Sequence, residues 1–97
     1  MPYLWSARRL VVLGVDADEQ SQVFDVDEDI VTVFWIREGW LVVCETSVRL
    51  LSSRGEACRL ELPDVVVSAR WAGAALELQH PTTRTRLGIA DGRLQVL

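Results

Sequence analysis

The chain has 97 residues with a formal net charge of −4, and apolar residues make up 49% and charged residues 25% of it. This length and composition are typical of one small globular domain, 1–97, and exclude a disordered chain. The acidic balance argues against nucleic acid and anionic membranes as partners, because both bind basic surfaces.

Short alternating and β-branched runs follow one another along the whole chain, and helical periodicity is almost absent. Such a pattern predicts an all-β fold. Turns are expected at Gly39, Gly55, Gly73 and Gly92, because glycine tolerates the positive φ that tight turns need. Ten strands are predicted, near 8–14, 21–26, 30–37, 40–45, 47–52, 57–62, 65–71, 74–79, 84–89 and 93–97.

Acidic residues are concentrated near the first two predicted strands. They are Asp16, Asp18, Glu19, Asp25, Asp27, Glu28 and Asp29. Oxygen-rich clusters of this kind can hold Ca²⁺. The spacing matches no EF-hand loop, however, so the favoured interpretation is a solvated loop whose charges prevent edge-to-edge strand pairing.

Two segments, residues 29–62 and 64–97, repeat one pattern. Each begins with Asp before an apolar run, reaches a Trp (Trp35, Trp71), and continues through two glycine turns into a last alternating strand. The first strand of each repeat is apolar on both faces, which predicts burial between two sheets. The last strand alternates, which predicts a half-exposed strand at the outside of the unit.

The repeated residues are WIREGWLVV at 35–43, VRLL at 48–51 and RGE at 54–56, then WAGAAL at 71–76, TRL at 85–87 and DG at 91–92. The two segments resemble blades of a β-propeller of the WD40-like or quinoprotein-like kind, although no Gly-His or Trp-Asp pair marks a WD40 repeat. The resemblance implies an antiparallel meander of about two four-stranded units, with residues 1–28 as a partial N-terminal unit. A β-sandwich or rolled meander is the alternative. A propeller fold implies no particular activity.

No group of residues points to catalysis or to a cofactor. Cys44 and Cys58 belong to no Cys-x-x-Cys or Cys/His set, so no zinc site is expected, and both alternate with apolar residues as buried side chains do. His80 is the one histidine and lies in a His-Pro-Thr-Thr segment that predicts a surface turn. We therefore predict a non-enzymatic protein with no catalytic residue, no metal and no cofactor.

An interaction role is the function that the sequence favours. Four Trp residues in so short a chain provide large apolar surfaces, and arginines on alternating strands provide charged ones. Arg49 and Arg59 are expected to point outward from the first repeat. We predict a module that forms a homo-oligomer or binds another protein to complete a larger β assembly. The candidate contact residues are Trp35, Trp40, Trp71, Arg84 and Arg86.

A carbohydrate-binding, lectin-type protein is the alternative function. Sugars bind exposed Trp rings beside Arg and Glu, and Trp40 near Glu38 or Trp71 near Arg70 would provide such groups. No stretch approaches the ~20 apolar residues of a transmembrane helix. The start of the chain lacks a small-residue cleavage site. The sequence therefore predicts a cytoplasmic location.

Overall fold

The computed structural model describes residues 3–13 and 21–97, and this part of the chain contains strands and no helix. The strands are β1 (Tyr3–Ser6), β2 (Arg9–Val12), β3 (Gln22–Asp25), β4 (Ile30–Ile36), β5 (Gly39–Cys44), β6 (Ser47–Ser52), β7 (Gly55–Glu61), β8 (Ser68–Ala72), β9 (Ala75–Gln79), β10 (Arg84–Ala90) and β11 (Arg93–Val96).

The strands form three antiparallel sheets, each made of strands that follow one another in the chain. Sheet A contains β1, β2 and β3 in that order. Sheet B runs from β4 to β7, and sheet C runs from β8 to β11. The all-β fold class is confirmed, and each four-stranded meander lies within one of the two sequence repeats.

Sheet B is the middle layer of a stack of three sheets. The sides of β5 and β6 that face sheet A pack Trp40, Val42 and Leu51 against Leu10 and Val12. Their opposite sides pack against sheet C, where the buried core contains Leu41, Val43, Val48, Leu50, Val66, Leu76, Leu78, Leu87 and Leu94. Because successive side chains of β5 and β6 point to opposite faces, sheet B contributes apolar side chains to the cores on both of its sides.

The most buried strands differ from the prediction. Every residue of β5 is buried, whereas Val33 is the only buried residue of β4. The expectation that the first strand of each repeat is buried on both faces is wrong, since Val65 and Val67 are also exposed. β5 and β6 are covered by neighbouring strands at both edges and by sheets on both faces, while β4 and β8 are edge strands.

Sheet A contains one strand that the sequence did not predict, β1. It pairs with β2 in register from Tyr3 opposite Val12 to Ser6 opposite Arg9. The hydroxyl of Tyr3 donates to the carbonyl oxygen of Val33 at 3.2 Å, which ties this sheet to β4. The partial N-terminal unit therefore has three strands in the described residues.

Candidate functional site

The outer face of sheet A carries an apolar row. Leu4, Val11 and Val23 are register partners across its three strands. The buried side chains of Leu10 and Val12 flank Val11 in sequence and point into the core, so the row faces away from sheet B. Leu4 is 50% and Val23 54% exposed. We call these three side chains the apolar row.

An exposed ion pair lies next to the apolar row. Arg9 and Asp25 are register partners across β2 and β3, and Arg9 Nε donates to Asp25 Oδ1 at 2.7 Å. The hydrogen bond and the charge of Asp25 raise the pKa of Arg9. The pair contributes one positive and one negative charge, so this part of the face is polar but electrically neutral.

Sequence reasoning did not find the apolar row. The run LVVL in β2 reads as one apolar stretch, and nothing in it tells which valine faces outward. The pairing of β1 with β2 supplies that information, because it brings Leu4 opposite Val11.

The outer face of sheet C is charged. Glu77 lies between Arg70 and Arg86 in the register of β8, β9 and β10. Arg70 Nε donates to Glu77 Oε1 at 3.1 Å, and Arg86 Nε lies 3.8 Å from Glu77 Oε2. Arg84 makes no ion pair with any described residue. A shallow depression of about 240 Å³ on this face is lined by Ser68, Arg70, Glu77, Gln79 and Arg84.

A hollow lined by tryptophan lies at one end of sheet B, where the β4–β5 and β6–β7 turns meet. Trp35 and Trp40 are register partners with ring centroids 4.8 Å apart. Trp35 is 48% exposed, whereas Trp40 is 4% exposed. The hollow encloses about 290 Å³ and is lined by Trp35, Arg37, Glu38, Gly39, Trp40, Ser52 and Ser53. We call it the Trp hollow.

The indole nitrogen of Trp40 is buried without a hydrogen-bond acceptor. Buried polar groups are almost always paired, and an unpaired one costs about 1–3 kcal/mol. Trp40 also packs against Phe24 of sheet A, with ring centroids 6.0 Å apart, so its ring is held from both sides. The Trp40 indole N–H is therefore a buried donor without a partner among the described residues.

Trp71 lies elsewhere. Its ring meets Phe34 edge to face, with centroids 5.6 Å apart, where sheet C packs on sheet B. Arg84 and Arg86 point away from that interface, on the other face of sheet C. The structure thus brings Trp35 and Trp40 together and Arg84 and Arg86 together, but it does not join the five predicted contact residues into one site.

Arg49 is buried, contrary to the prediction that it points outward; it is 3% exposed. Its guanidinium donates to Glu28 Oε2 at 2.9 Å, to Ser47 Oγ at 3.2 Å and to Asp27. Glu28 also accepts from the backbone N–H of Thr46 at 2.6 Å. Because buried charges need such pairing, this network fixes the residues between sheets A and B against β6. Arg59 is exposed, as predicted.

His80 is also buried, although the rest of its segment, Pro81 to Thr83, forms the exposed bend that the sequence predicts. Its Nδ1 donates to the carbonyl oxygen of Val65 at 2.9 Å, and its Nε2 lies 2.7 Å from Thr85 Oγ1. Both ring nitrogens are therefore occupied by structural contacts that hold the β9–β10 connection to the segment before β8.

The cysteines are both free. Cys44 is fully buried, as predicted, and Cys58 is half-buried. Burial raises the pKa of the Cys44 thiol to about 11. The two side chains lie on opposite faces of sheet B, Cys44 towards sheet A and Cys58 towards sheet C.

Within residues 3–13 and 21–97, no three His, Cys, Asp or Glu side chains are grouped as metal ligands would be. Asp16, Asp18 and Glu19, part of the acidic cluster interpreted from the sequence as a solvated loop, lie outside the described residues. The same part of the chain has no helix long and apolar enough to cross a membrane. Comparison of the chain with family models, with curated proteins and with solved structures finds no match.

Proposed function

We propose that this protein is a non-catalytic interaction module that self-associates through the outer face of sheet A. The observation that supports this proposal is the apolar row on a terminal sheet. Sheet B has both faces covered, whereas sheet A has one face covered and presents Leu4, Val11 and Val23 on the other. A second sheet laid on this face would continue the stacking that already joins sheets A and B.

The occupant of this face is a second copy of the chain. A two-fold axis that lies between the two sheets and parallel to them would place the apolar row of one copy against the row of the other. The Arg9–Asp25 pair makes the face self-complementary in charge, because each copy presents one cation and one anion beside the row. The ion pair adds no net charge to this face, and the buried apolar area drives the pairing.

Head-to-tail association is less favourable. A closed propeller-type ring would seat the outer face of sheet A on the outer face of sheet C. That contact would remove Arg84, Arg86 and Glu77 from water and set them against Leu4 and Val23. Desolvating charged groups without new partners is costly. The unlike chemistry of the two end faces therefore supports two-fold pairing over completion of a ring of blades.

The test is native mass by light scattering coupled to size exclusion, over a range of protein concentrations. The wild type is expected at twice the 10.9 kDa chain mass. Val23→Lys should give a monomer, because it places a cation in the centre of the interface. Val67→Lys is the matched control, since Val67 is equally exposed but lies before sheet C, and it should remain dimeric.

Three results would contradict the proposal. If the wild type is monomeric at every concentration, self-association is ruled out. A dimer that persists in Val23→Lys would show that the interface does not lie on the outer face of sheet A. A dimer lost on Arg84→Glu with Arg86→Glu would favour the head-to-tail arrangement instead.

A further inference from the structure

We infer that the Trp hollow binds a small neutral sugar, a single pyranose ring. The hollow lies at the turn end of sheet B, so this binding is separate from self-association through sheet A. Its volume of about 290 Å³ is at the lower end of the ~300–1,000 Å³ found for small-molecule sites, which limits the ligand to about one ring.

The exposed ring of Trp35 supplies a flat apolar platform. A pyranose has one face made of C–H groups, which packs on an indole face, and an edge of hydroxyl groups that need polar partners. Aromatic surface together with a few convergent polar groups is the composition of small-molecule sites generally.

The polar partners are present and unoccupied. Arg37 and Glu38 are exposed and make no side-chain hydrogen bond or ion pair with any described residue. Arg37 can donate to hydroxyl oxygens and Glu38 can accept from hydroxyl groups. Their charges cancel, so the hollow suits a neutral ligand better than an acidic or basic one.

The buried position of Trp40 Nε1 has a consequence for binding. This atom has no solvent-exposed surface, so a ligand in the hollow does not contact it directly. Trp35 is the exposed aromatic side chain of the hollow, and its ring contacts that of Trp40 at a centroid distance of 4.8 Å. Binding should therefore change the environment of both indoles together.

The experiment is an NMR titration that follows the indole N–H signals of the ¹⁵N-labelled protein. The probes are the methyl glycosides of glucose, galactose, mannose and N-acetylglucosamine, added up to about 100 mM. At least one should move the Trp40 signal in a saturable way, with a Kd on the order of millimolar, as expected for so small a ligand. The Trp71 signal is the internal control and should not move.

Variants then locate the site. Trp35→Ala should weaken binding about tenfold or more, because it removes the platform. Glu38→Gln, an exposed and structurally mild change, should weaken it several-fold. Trp71→Phe is the matched control and should bind as the wild type does. A Trp40 signal that no glycoside moves, or unchanged affinity in both Trp35→Ala and Glu38→Gln, would overturn the inference. Native mass, measured on the same samples, reports self-association independently.

Discussion

Trp35 and Trp40 are cross-strand partners whose ring centroids lie 4.8 Å apart, yet one ring is 48% exposed and the other 4%. The difference follows from their strands. Trp40 lies on a central strand whose residues are all buried, and Trp35 lies on the edge strand of the same sheet. The pair thus joins a buried indole to an exposed apolar ring, and this exposed ring is the platform of the sugar site proposed above.

The turn that forms this site depends on Gly39. Its φ is +141°, a value that side-chain-bearing residues rarely adopt, and a Cβ there would collide with the carbonyl oxygen of Leu51. We predict that Gly39→Ala lowers the free energy of unfolding by about 3 kcal/mol or more, through strain and displacement of β6. Urea denaturation measures this loss.

Gly73→Ala is the matched control. Gly73 also has a positive φ, +64°, but a Cβ there meets nothing within 4 Å. The expected loss is about 1 kcal/mol, from the backbone conformation alone. Equal losses at the two positions would show that the close approach of Leu51 to Gly39 has no energetic consequence.

The buried Arg49 network should dominate the stability of the sheet A–sheet B region. Arg49→Met keeps the apolar volume but leaves Glu28, whose side chain is 19% exposed, without its cation. We predict a loss of about 3–5 kcal/mol, because an unpaired charge then remains largely buried. Arg59→Met, at an exposed arginine of the next strand, should lose less than about 1 kcal/mol. Urea denaturation of both variants and the wild type measures these losses in the free energy of unfolding.

The same network predicts how stability depends on pH. Burial alone would raise the pKa of Glu28, but hydrogen bonds from Thr46, Ser47 and Arg49 outweigh it and lower the pKa. The hydrogen bond and charge of Arg49 also lower the pKa of Asp27. A carboxylate with a lowered pKa stabilises the fold above its unfolded pKa, and that contribution is lost as pH falls through the folded value.

Stability should therefore decrease from about pH 5 towards pH 2, since unfolded carboxyl groups titrate near pH 4. The urea midpoint across this range measures the effect. In Arg49→Met, stability should depend less steeply on pH, because the cation that helps to lower the pKa values of Asp27 and Glu28 is gone. An identical slope in the wild type and the variant would contradict the role given to Arg49.

The cysteines should differ in reactivity. With its pKa raised to about 11, Cys44 has only about one thiol in a thousand ionised at pH 8, and it is also shielded from reagents. We predict that a thiol reagent such as DTNB modifies one cysteine, Cys58, in the native protein and both in urea. Rapid modification of two thiols in the native state would show that the core around Cys44 opens readily.

The general architecture could be predicted from the sequence, because alternation and glycine turns are local signals. Ten of the eleven strands and the two four-stranded meanders follow from them. β1 was missed because four residues, Tyr3–Ser6, are too few to show a period. Burial of Arg49 and His80 was missed for another reason: their partners Glu28 and Val65 are 21 and 15 residues away, in connecting segments that only the folded chain brings against them.

The candidate surfaces, too, could be predicted from the sequence only in part. The nearness of Trp35 and Trp40 follows from one hairpin, which a sequence can indicate. The apolar row needs the registers of three strands at once, and the Trp hollow needs the turn at Ser53–Arg54 beside the turn at Arg37–Glu38. These relationships arise from packing between strands and sheets, for which the sequence carries no local pattern.

The most direct test of self-association through sheet A is a symmetric cysteine cross-link. Val11 lies on the central strand of that sheet, so a two-fold pairing brings the two copies of Val11 together. In a Cys58→Ser background, Val11→Cys should form a disulfide-linked dimer under mild oxidation much faster than the control Val67→Cys. Cross-linking of Val11→Cys no faster than that of Val67→Cys would contradict the account.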